Sequence, residues 1–411
     1  MDRFFSRPRT LLRMREGPLG ICIDSYAALL HELGYTRESA RLQIRLVSDF
    51  SRWLSRNRCG PTDITPERCV AYLRYRARHL RPSGGETAAL DRLINLLRKT
   101  GLVAAPIPLE IRNPCEDILS DFKIHLSQER VLSPATLKNY VPFARLLLTE
   151  RFADNQIELS QLRATDITGF VQRHALCSSR KRALLMTTAL RSFLRFLYQR
   201  GNLHTNLAGC VPTVPSWSLG DVPQYIQPEQ VQHILDLCDR KTAGGQRDYA
   251  ILLLLARLGL RAGEVAFLKL EDIDWEAGHI TIHGKGGRSD LFPITVEIGQ
   301  AVTDYLQNVR PRCSNRCVFV RMAAPQVGFA SHTAISSIVR RALARAQIRP
   351  PHKGAHLFRH TLATQMLQEG ANLAEIGDIL RHRHPNTTLV YAKVDLNRLR
   401  TIALPWPGGE R

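Results

Sequence analysis

The chain has 411 residues, more than one hydrophobic core usually serves, so two or three domains are expected. Its 57 Lys and Arg outnumber 37 Asp and Glu, which gives a net charge of +20. This excess predicts a polyanionic partner, and nucleic acid is the first candidate because each neutralised phosphate releases condensed counterions. A membrane is the weaker candidate, since the longest apolar run, around Ala250–Leu255, falls far short of the roughly 20 residues of a spanning helix.

The N-terminus and the cysteines give no sign of export. No continuous apolar segment precedes a small-residue cleavage site, so we expect a cytoplasmic protein. The nine cysteines, scattered from Cys22 to Cys317, do not resemble a disulfide framework, and we expect them to be reduced. Cys313 and Cys317 lie close together but lack a second Cys/His pair at zinc-ribbon spacing. We therefore predict neither a metal nor a cofactor.

The first half of the chain has helical periodicity and a possible internal repeat. After an N-terminal tail at 1–15, we predict two helical bundles, at 16–110 and 111–205. Seven positions match at a shift of 100 residues: Thr87, Ala89, Leu90, Leu93, Ile94, Leu97 and Gly101 correspond to Thr187, Ala189, Leu190, Phe193, Leu194, Leu197 and Gly201. Upstream helices match at shifts of 97 and 98, as small loop insertions would allow. The alternative is that any two amphipathic helices can be aligned.

A second kind of domain follows a linker. Residues 206–226 contain prolines and glycines without periodicity, which indicates an extended connection. A domain at 227–395 then begins with a predicted helix from Pro228 to Leu237. The next predicted helix, Asp248–Leu258, is almost wholly apolar and should be buried.

The pattern then changes to that of a β-hairpin. His279–His283 alternates with period two, Gly284–Gly287 supplies a turn, and Asp290–Ile294 follows. Cys317–Val320 is also strand-like, while most of the remaining chain is helical. We predict a mainly α fold with a small antiparallel β-sheet (α+β), followed by a C-terminal tail at 396–411.

Short segments of this domain, within 226–395, resemble the motif set of the tyrosine recombinase (phage integrase) family. The run Gly259–Glu264 is similar to the first arginine box of the family, and Gly284-Lys285-Gly286 to its hairpin lysine. His356-Leu357-Phe358-Arg359-His360 resembles the His-x-x-Arg box. His382 lies nine residues before Tyr391, the spacing of the family's last histidine and its nucleophile. The resemblance implies that 111–205 is a core-binding domain, which clamps the DNA duplex together with the catalytic domain, and that the first bundle lies outside the minimal architecture.

The resemblance implies a set of catalytic residues: Arg261, Lys285, His356, Arg359, His382 and Tyr391. Their chemistry fits phosphoryl transfer. Tyr391 would attack the phosphorus, although a phenol of pKa about 10 is protonated at neutral pH and needs cations or a base nearby. Arg261 and Arg359 can bind the nonbridging oxygens and stabilise the transition state.

The remaining predicted residues would move protons. The leaving sugar hydroxyl is nearer water in acidity, so its departure requires a proton, and Lys285 on the hairpin turn is the predicted general acid. His356 and His382 would orient phosphate oxygens and help to transfer the tyrosine proton. A tyrosyl phosphodiester conserves the bond energy, so a 5′-hydroxyl of a partner strand can reverse the reaction without ATP.

Other interpretations of single motifs remain. The Gly-Lys-Gly-Gly run lacks the Ser or Thr of a phosphate-binding loop and leads into a strand. His352, His356 and His360 follow at four-residue intervals, as on a metal-binding helix face, but Pro351 and Gly354 make the first a poor helix member. Tyr391 could also be a core aromatic residue.

One position departs from the family pattern. The family has Leu-Gly-His before the nucleophile, whereas this chain has Leu380-Arg381-His382. We expect Arg381 in place of a glycine to alter the phosphate contacts next to His382.

The resulting hypothesis is a site-specific recombinase that acts as a tetramer on double-stranded DNA through a 3′-phosphotyrosyl link and a four-way junction. The run Tyr391–Asp395 resembles integrases of bacterial transposable elements, and accessory DNA-bending proteins or a partner recombinase are conceivable partners. Apolar residues of the 396–411 tail are expected to dock on a neighbouring subunit. Two alternatives stay open: a type IB topoisomerase, which reseals the same strand, and a DNA-binding regulator without catalysis.

Overall fold

The computed structural model describes residues 1, 3–103, 114–152, 157–215, 222–284 and 289–394. The chain forms two compact units. One contains residues 1–105 and 221–411, and the other contains residues 106–220.

The first bundle packs its helices around an apolar core of its own. Its helices are α1 (Pro8–Met14), α2 (Gly20–Glu32), α3 (Arg37–Arg56), α4 (Pro66–Ala77) and α5 (Glu86–Lys99), with a 3₁₀ turn at Pro61–Asp63. Phe4, Phe5 and Met14 are buried in this core. The segment 1–15 is therefore part of the first bundle and not a detached tail.

The second bundle forms the other unit. Its helices are α6 (Pro114–Ile124), α7 (Pro134–Phe152), α8 (Ala164–Leu176) and α9 (Arg180–Gln199), with a π-helical turn at His125–Glu129 and a 3₁₀ turn at Leu159–Gln161. Its core includes Leu207, Ala208 and Val211, which follow α9. The beginning of the predicted linker thus packs onto this bundle.

The two bundles have the same order of elements. Leaving α1 aside, each has a first helix, a long second helix, a 3₁₀ turn, a third helix and an amphipathic fourth helix. The five apolar positions of α5 that were matched by sequence are buried, and so are their five counterparts in α9. Equivalent burial at equivalent positions is what a duplicated bundle requires, but two unrelated amphipathic helices would also bury these positions, so the repeat stays a prediction.

The remaining part of the first unit holds the sequence motifs. Its helices are α10 (Pro228–Asp236), α11 (Ala243–Leu258), α12 (Ala262–Ala266), α13 (Val296–Asp304), α14 (Thr333–Arg345), α15 (His356–Gln368), α16 (Leu373–Ile379) and α17 (Pro385–Thr388). Helix α11 begins five residues before the predicted start, and its run Ala250–Leu255 lies in the core. As expected of a nearly uniform apolar helix, it is surrounded by other elements.

A small antiparallel sheet has the order β1 (Ile273–Asp274), β2 (His279–His283) and β3 (Ser289–Pro293). The predicted hairpin is confirmed, with Thr281 paired to Leu291 at its centre. The strand expected at Cys317–Val320 is not formed. Cys317 and Val320 make isolated bridges to Lys269 and Gly328, and Val318–Val320 are buried.

None of the helices in the described ranges combines the length and apolar character needed to cross a membrane.

Candidate active site

The end of α11 brings the first arginine box close to α15 and α16. Gly259 ends the helix in the left-handed conformation, with φ +58°. A Cβ at this position would lie 2.9 Å from Cδ2 of Leu380 and 3.0 Å from Cδ2 of Leu362. Both the conformation and the close approach favour glycine, so Gly259 allows the segments to meet.

Arg261 lies at the N-terminus of α12, where Glu264 holds it. The Glu264 carboxylate accepts hydrogen bonds from the Arg261 backbone N–H at 2.7 Å and from its Nη1 at 2.8 Å. The Arg261 side chain is 38% exposed, so part of it is accessible from solvent. Burial tends to raise the pKa of Glu264, but the Arg261 N–H and the charge of Arg381 hold it below its usual value.

Arg359 is almost completely enclosed, with 3% of its surface exposed. Its Nη1 donates to the carbonyl oxygen of Gly259 at 2.7 Å, and its Nη2 donates to that of Leu380. Burial and the charges of Arg261 and Arg381 lower its pKa to about 10, which still leaves it charged at neutral pH. Carbonyl partners fix its position without neutralising its charge.

A single turn joins the two arginines. Arg359 Nη2 binds the carbonyl of Leu380, and Arg261 Nη2 binds the carbonyl of Arg381 at 3.4 Å. His382 follows directly in the chain. The turn Leu380–His382 therefore gathers residues that are separated by more than a hundred positions.

Two of the predicted histidines adjoin these arginines. His356 is the first residue of α15, one turn from Arg359, and burial and the charges of Arg359 and Arg261 lower its pKa. His382 shares a hydrogen bond of 2.7 Å between its Nδ1 and Thr388 Oγ1. Burial and the charges of Arg359 and Arg261 lower the pKa of His382 to about 4, so it is neutral at pH 7.

Tyr391 lies in a 3₁₀ turn at Leu389–Val394 and is 1% exposed. Its ring is parallel to that of His382, with centroids 6.3 Å apart. Burial raises its pKa to about 12, against the smaller opposing effect of Arg359. The tyrosine is thus both a packed aromatic residue and a close neighbour of the predicted site.

His360 is the residue that the sequence prediction left without a role. Its Nδ1 lies 2.9 Å from the Tyr391 hydroxyl oxygen. Burial and the charges of His356 and Arg359 lower its pKa to about 4, so at neutral pH the ring is uncharged and can accept the hydrogen bond of the hydroxyl. The four-residue interval between His356 and His360, which had suggested a metal-binding face, could have pointed to this residue. It places both histidines on one side of α15.

Lys285 lies outside the described residues. Strands β2 and β3 are described up to Gly284 and from Ser289. The other five predicted residues lie close together around the Leu380–His382 turn: Arg261, His356, Arg359, His382 and Tyr391.

Family models and known proteins match most of this chain. Residues 224–398 match the model of the phage integrase family, and residues 119–201 match its N-terminal SAM-like domain. A Sinorhizobium fredii protein named integrase/recombinase y4rA is 45% identical over 99% of both chains. Tyrosine recombinase XerC of Shewanella amazonensis is 30% identical over 69% of this chain and 93% of its own length.

The chain belongs to the phage integrase family of tyrosine recombinases. It is a DNA strand transferase, and the mainly α fold with a small antiparallel sheet is confirmed. The solved structure of the XerH recombinase on its difH substrate, after cleavage, aligns with a TM-score of 0.56 at 18% identity, covering 77% of this chain and 94% of the other. A λ integrase tetramer bound to a Holliday junction aligns with a TM-score of 0.51 at 14% identity, covering 76% and 88%.

Proposed function

We propose that this recombinase belongs to a bacterial mobile element and cleaves one strand of each duplex by attack of Tyr391 on a phosphodiester. The observation that carries this is the Leu380–His382 turn, where Arg261, Arg359 and His382 meet beside the tyrosine. Two fixed guanidinium groups match the charge of a pentacoordinate phosphate.

The reaction has two balanced steps. The Tyr391 oxygen bonds to phosphorus while the bond from phosphorus to the 5′-oxygen breaks, and the tyrosine proton passes to His360. Lys285 gives a proton to the departing 5′-oxygen. In the second step a 5′-hydroxyl of the partner strand attacks the 3′-phosphotyrosyl link and gives its proton to Lys285. The bond from phosphorus to the phenol oxygen breaks, and the phenol regains its proton from His360. No nucleotide is consumed because one phosphate ester replaces another.

His360 accepts the tyrosine proton in this scheme, since it already shares a hydrogen bond with the hydroxyl. His356 and His382, both with lowered pKa values, then orient phosphate oxygens. The sequence analysis gave the transfer of the tyrosine proton to His356 and His382. Here it is assigned to His360, which lies 2.9 Å from the hydroxyl.

The two bundles serve DNA binding in this proposal. The second matches the SAM-like domain of the family and would clamp the duplex with the catalytic domain. Because the first repeats its order of helices, we assign it a second DNA contact.

Strand exchange would require four subunits, in keeping with the tetrameric arrangement of λ integrase on a Holliday junction. The 396–411 tail, a candidate for subunit docking, lies outside the described residues.

A trapping experiment tests the reaction. Duplexes with randomised arms and one nick near the centre are incubated with the full chain, so that the cleaved 5′-fragment diffuses away and the covalent adduct accumulates. We expect an SDS-resistant complex whose DNA-linked peptide contains Tyr391. Tyr391→Phe should form none, whereas Tyr198→Phe, a half-exposed tyrosine of the second bundle, should react normally.

Three outcomes would overturn the proposal. They are no adduct with the wild-type chain, an adduct on another residue, or an unchanged adduct with Tyr391→Phe. The first would favour a DNA-binding regulator. Relaxation of supercoiled plasmid that has no paired sites would indicate a topoisomerase instead.

A further inference from the structure

Arg381 occupies a backbone position that ordinarily selects glycine. It follows the end of α16 with φ +55°. Its N–H donates to the carbonyl of Asp378 at 2.9 Å, and the N–H of His382 donates to that of Gly377 at 2.8 Å. This pair of bonds closes a helix by the Schellman arrangement, in which a left-handed glycine is usual. A large charged side chain here has a conformational cost, which implies that the side chain does something.

The guanidinium of Arg381 is held inside the site. The side chain is 9% exposed, and its Nη2 donates to Oε2 of Glu264 at 2.8 Å. It lies over the ring of Phe292 in β3, 4.8 Å from the centroid. Among the described residues, no acceptor lies within hydrogen-bonding distance of its Nε or Nη1. Arg381 therefore connects the arginine box to the hairpin that carries Lys285.

Glu264 is shared between two arginines. Its side chain is 7% exposed; Oε1 accepts from Arg261 Nη1, and Oε2 accepts from Arg381 Nη2 and from the Arg261 backbone N–H. A carboxylate paired with Arg261 competes with a phosphate for the same guanidinium. If Arg261 turned to the phosphate, a buried carboxylate without another cation would be left unpaired, and that is strongly unfavourable.

We propose that Arg381 is a positioning residue that keeps Glu264 paired and so releases Arg261 to the scissile phosphate. This inference rests on the proposed function, since it assigns Arg261 to phosphate binding. In the site, the guanidinium groups of Arg261 and Arg381 share one carboxylate, and the phosphate takes the place of Glu264 at Arg261.

The test uses a nicked duplex whose sequence is recovered from the trapped covalent adduct. It measures single-turnover cleavage over a range of DNA concentrations. Arg381→Gly restores the residue that the backbone favours, so it should fold at least as well as wild type. We expect its maximal cleavage rate to fall at least tenfold while the DNA concentration for half-maximal rate changes little. Arg381→Lys, which can still pair with Glu264, should retain most of the rate.

A double variant separates the proposal from a merely structural role. Glu264→Gln removes the negative charge that Arg381 is proposed to balance, so Glu264→Gln with Arg381→Gly should cleave faster than Arg381→Gly alone. The inference is overturned if Arg381→Gly cleaves like wild type, or if the glutamine gives no recovery. A wild-type chain that forms no adduct would instead overturn the proposed function.

Discussion

The Tyr391 hydroxyl and His360 Nδ1 lie 2.9 Å apart, although the two residues are separated by 31 positions in the chain. The pKa of His360 is lowered to about 4 and that of Tyr391 is raised to about 12, so at neutral pH the pair consists of a neutral ring and a protonated phenol. In that state the O–H donates and the ring accepts. A proton acceptor is thus in place before the phenol attacks.

Replacing His360 should slow cleavage without preventing DNA binding. For His360→Gln we expect a loss of roughly 10²–10⁴-fold in the single-turnover rate, the usual contribution of general base catalysis. Adduct formation on the nicked duplex measures it, and filter binding reports DNA affinity. His279→Gln, an exposed histidine of β2, is the matched control and should be unchanged. A His360→Gln rate equal to that of wild type would remove His360 from the mechanism.

Acid should destabilise the protein through the same histidines. His360 and His382 have folded pKa values of about 4, below the ordinary 6.5, so between these values the unfolded chain binds more protons. The free energy of unfolding therefore falls as the pH is lowered from about 6.5 to about 4. Urea titrations should show a smaller fall for a chain carrying His360→Gln and His382→Gln. An identical fall would mean that neither ring is kept neutral by folding.

A sulfur substitution in DNA can test the general acid. Lys285→Ala should cut the cleavage rate by roughly 10²–10⁴-fold. With a 5′-bridging sulfur at the scissile position, the leaving group becomes a thiolate, which departs without a proton. The variant should then approach the wild-type rate, whereas Arg261→Ala should stay slow on both substrates. Lack of rescue would place Lys285 in another role.

Two glycines can separate conformational strain from crowding. Gly278 has φ +66° with open space around its Cβ position, whereas Gly259 has φ +58° and faces Leu380. Gly278→Ala should lower the free energy of unfolding by about 1 kcal/mol from backbone strain alone. Gly259→Ala should cost ~1–3 kcal/mol more because neighbours must move. Equal losses in urea titrations would show that the α11 end tolerates a side chain.

The sequence predicted those features that repeat locally. The alternation of polar and apolar residues predicted the hairpin, because successive side chains of a strand point to opposite faces. The continuous apolar run predicted the buried helix α11. Strand β1 escaped notice because two residues carry no periodicity. The run Cys317–Val320 looked like a strand because it is buried and apolar, but burial alone does not determine pairing.

The site was less accessible to sequence reasoning because it depends on distant contacts. The motifs identified Arg261, His356, Arg359, His382 and Tyr391, and the structure groups them, but their roles stay predictions. The contact between His360 and Tyr391 requires knowing how α15 packs against the C-terminal turn. In the same way, the sequence showed that Arg381 replaces a glycine, but only the structure shows its bond to Glu264.

The location of Tyr391 also bears on when the enzyme reacts. Its ring belongs to a small apolar cluster with Ala363, Leu367, Ile376 and Leu380, separate from the main core of the domain. A hydroxyl enclosed there cannot collide with phosphodiesters or reactive electrophiles in solution. Attack by Tyr391 therefore requires this cluster to open, so the free energy of opening adds to the barrier of cleavage.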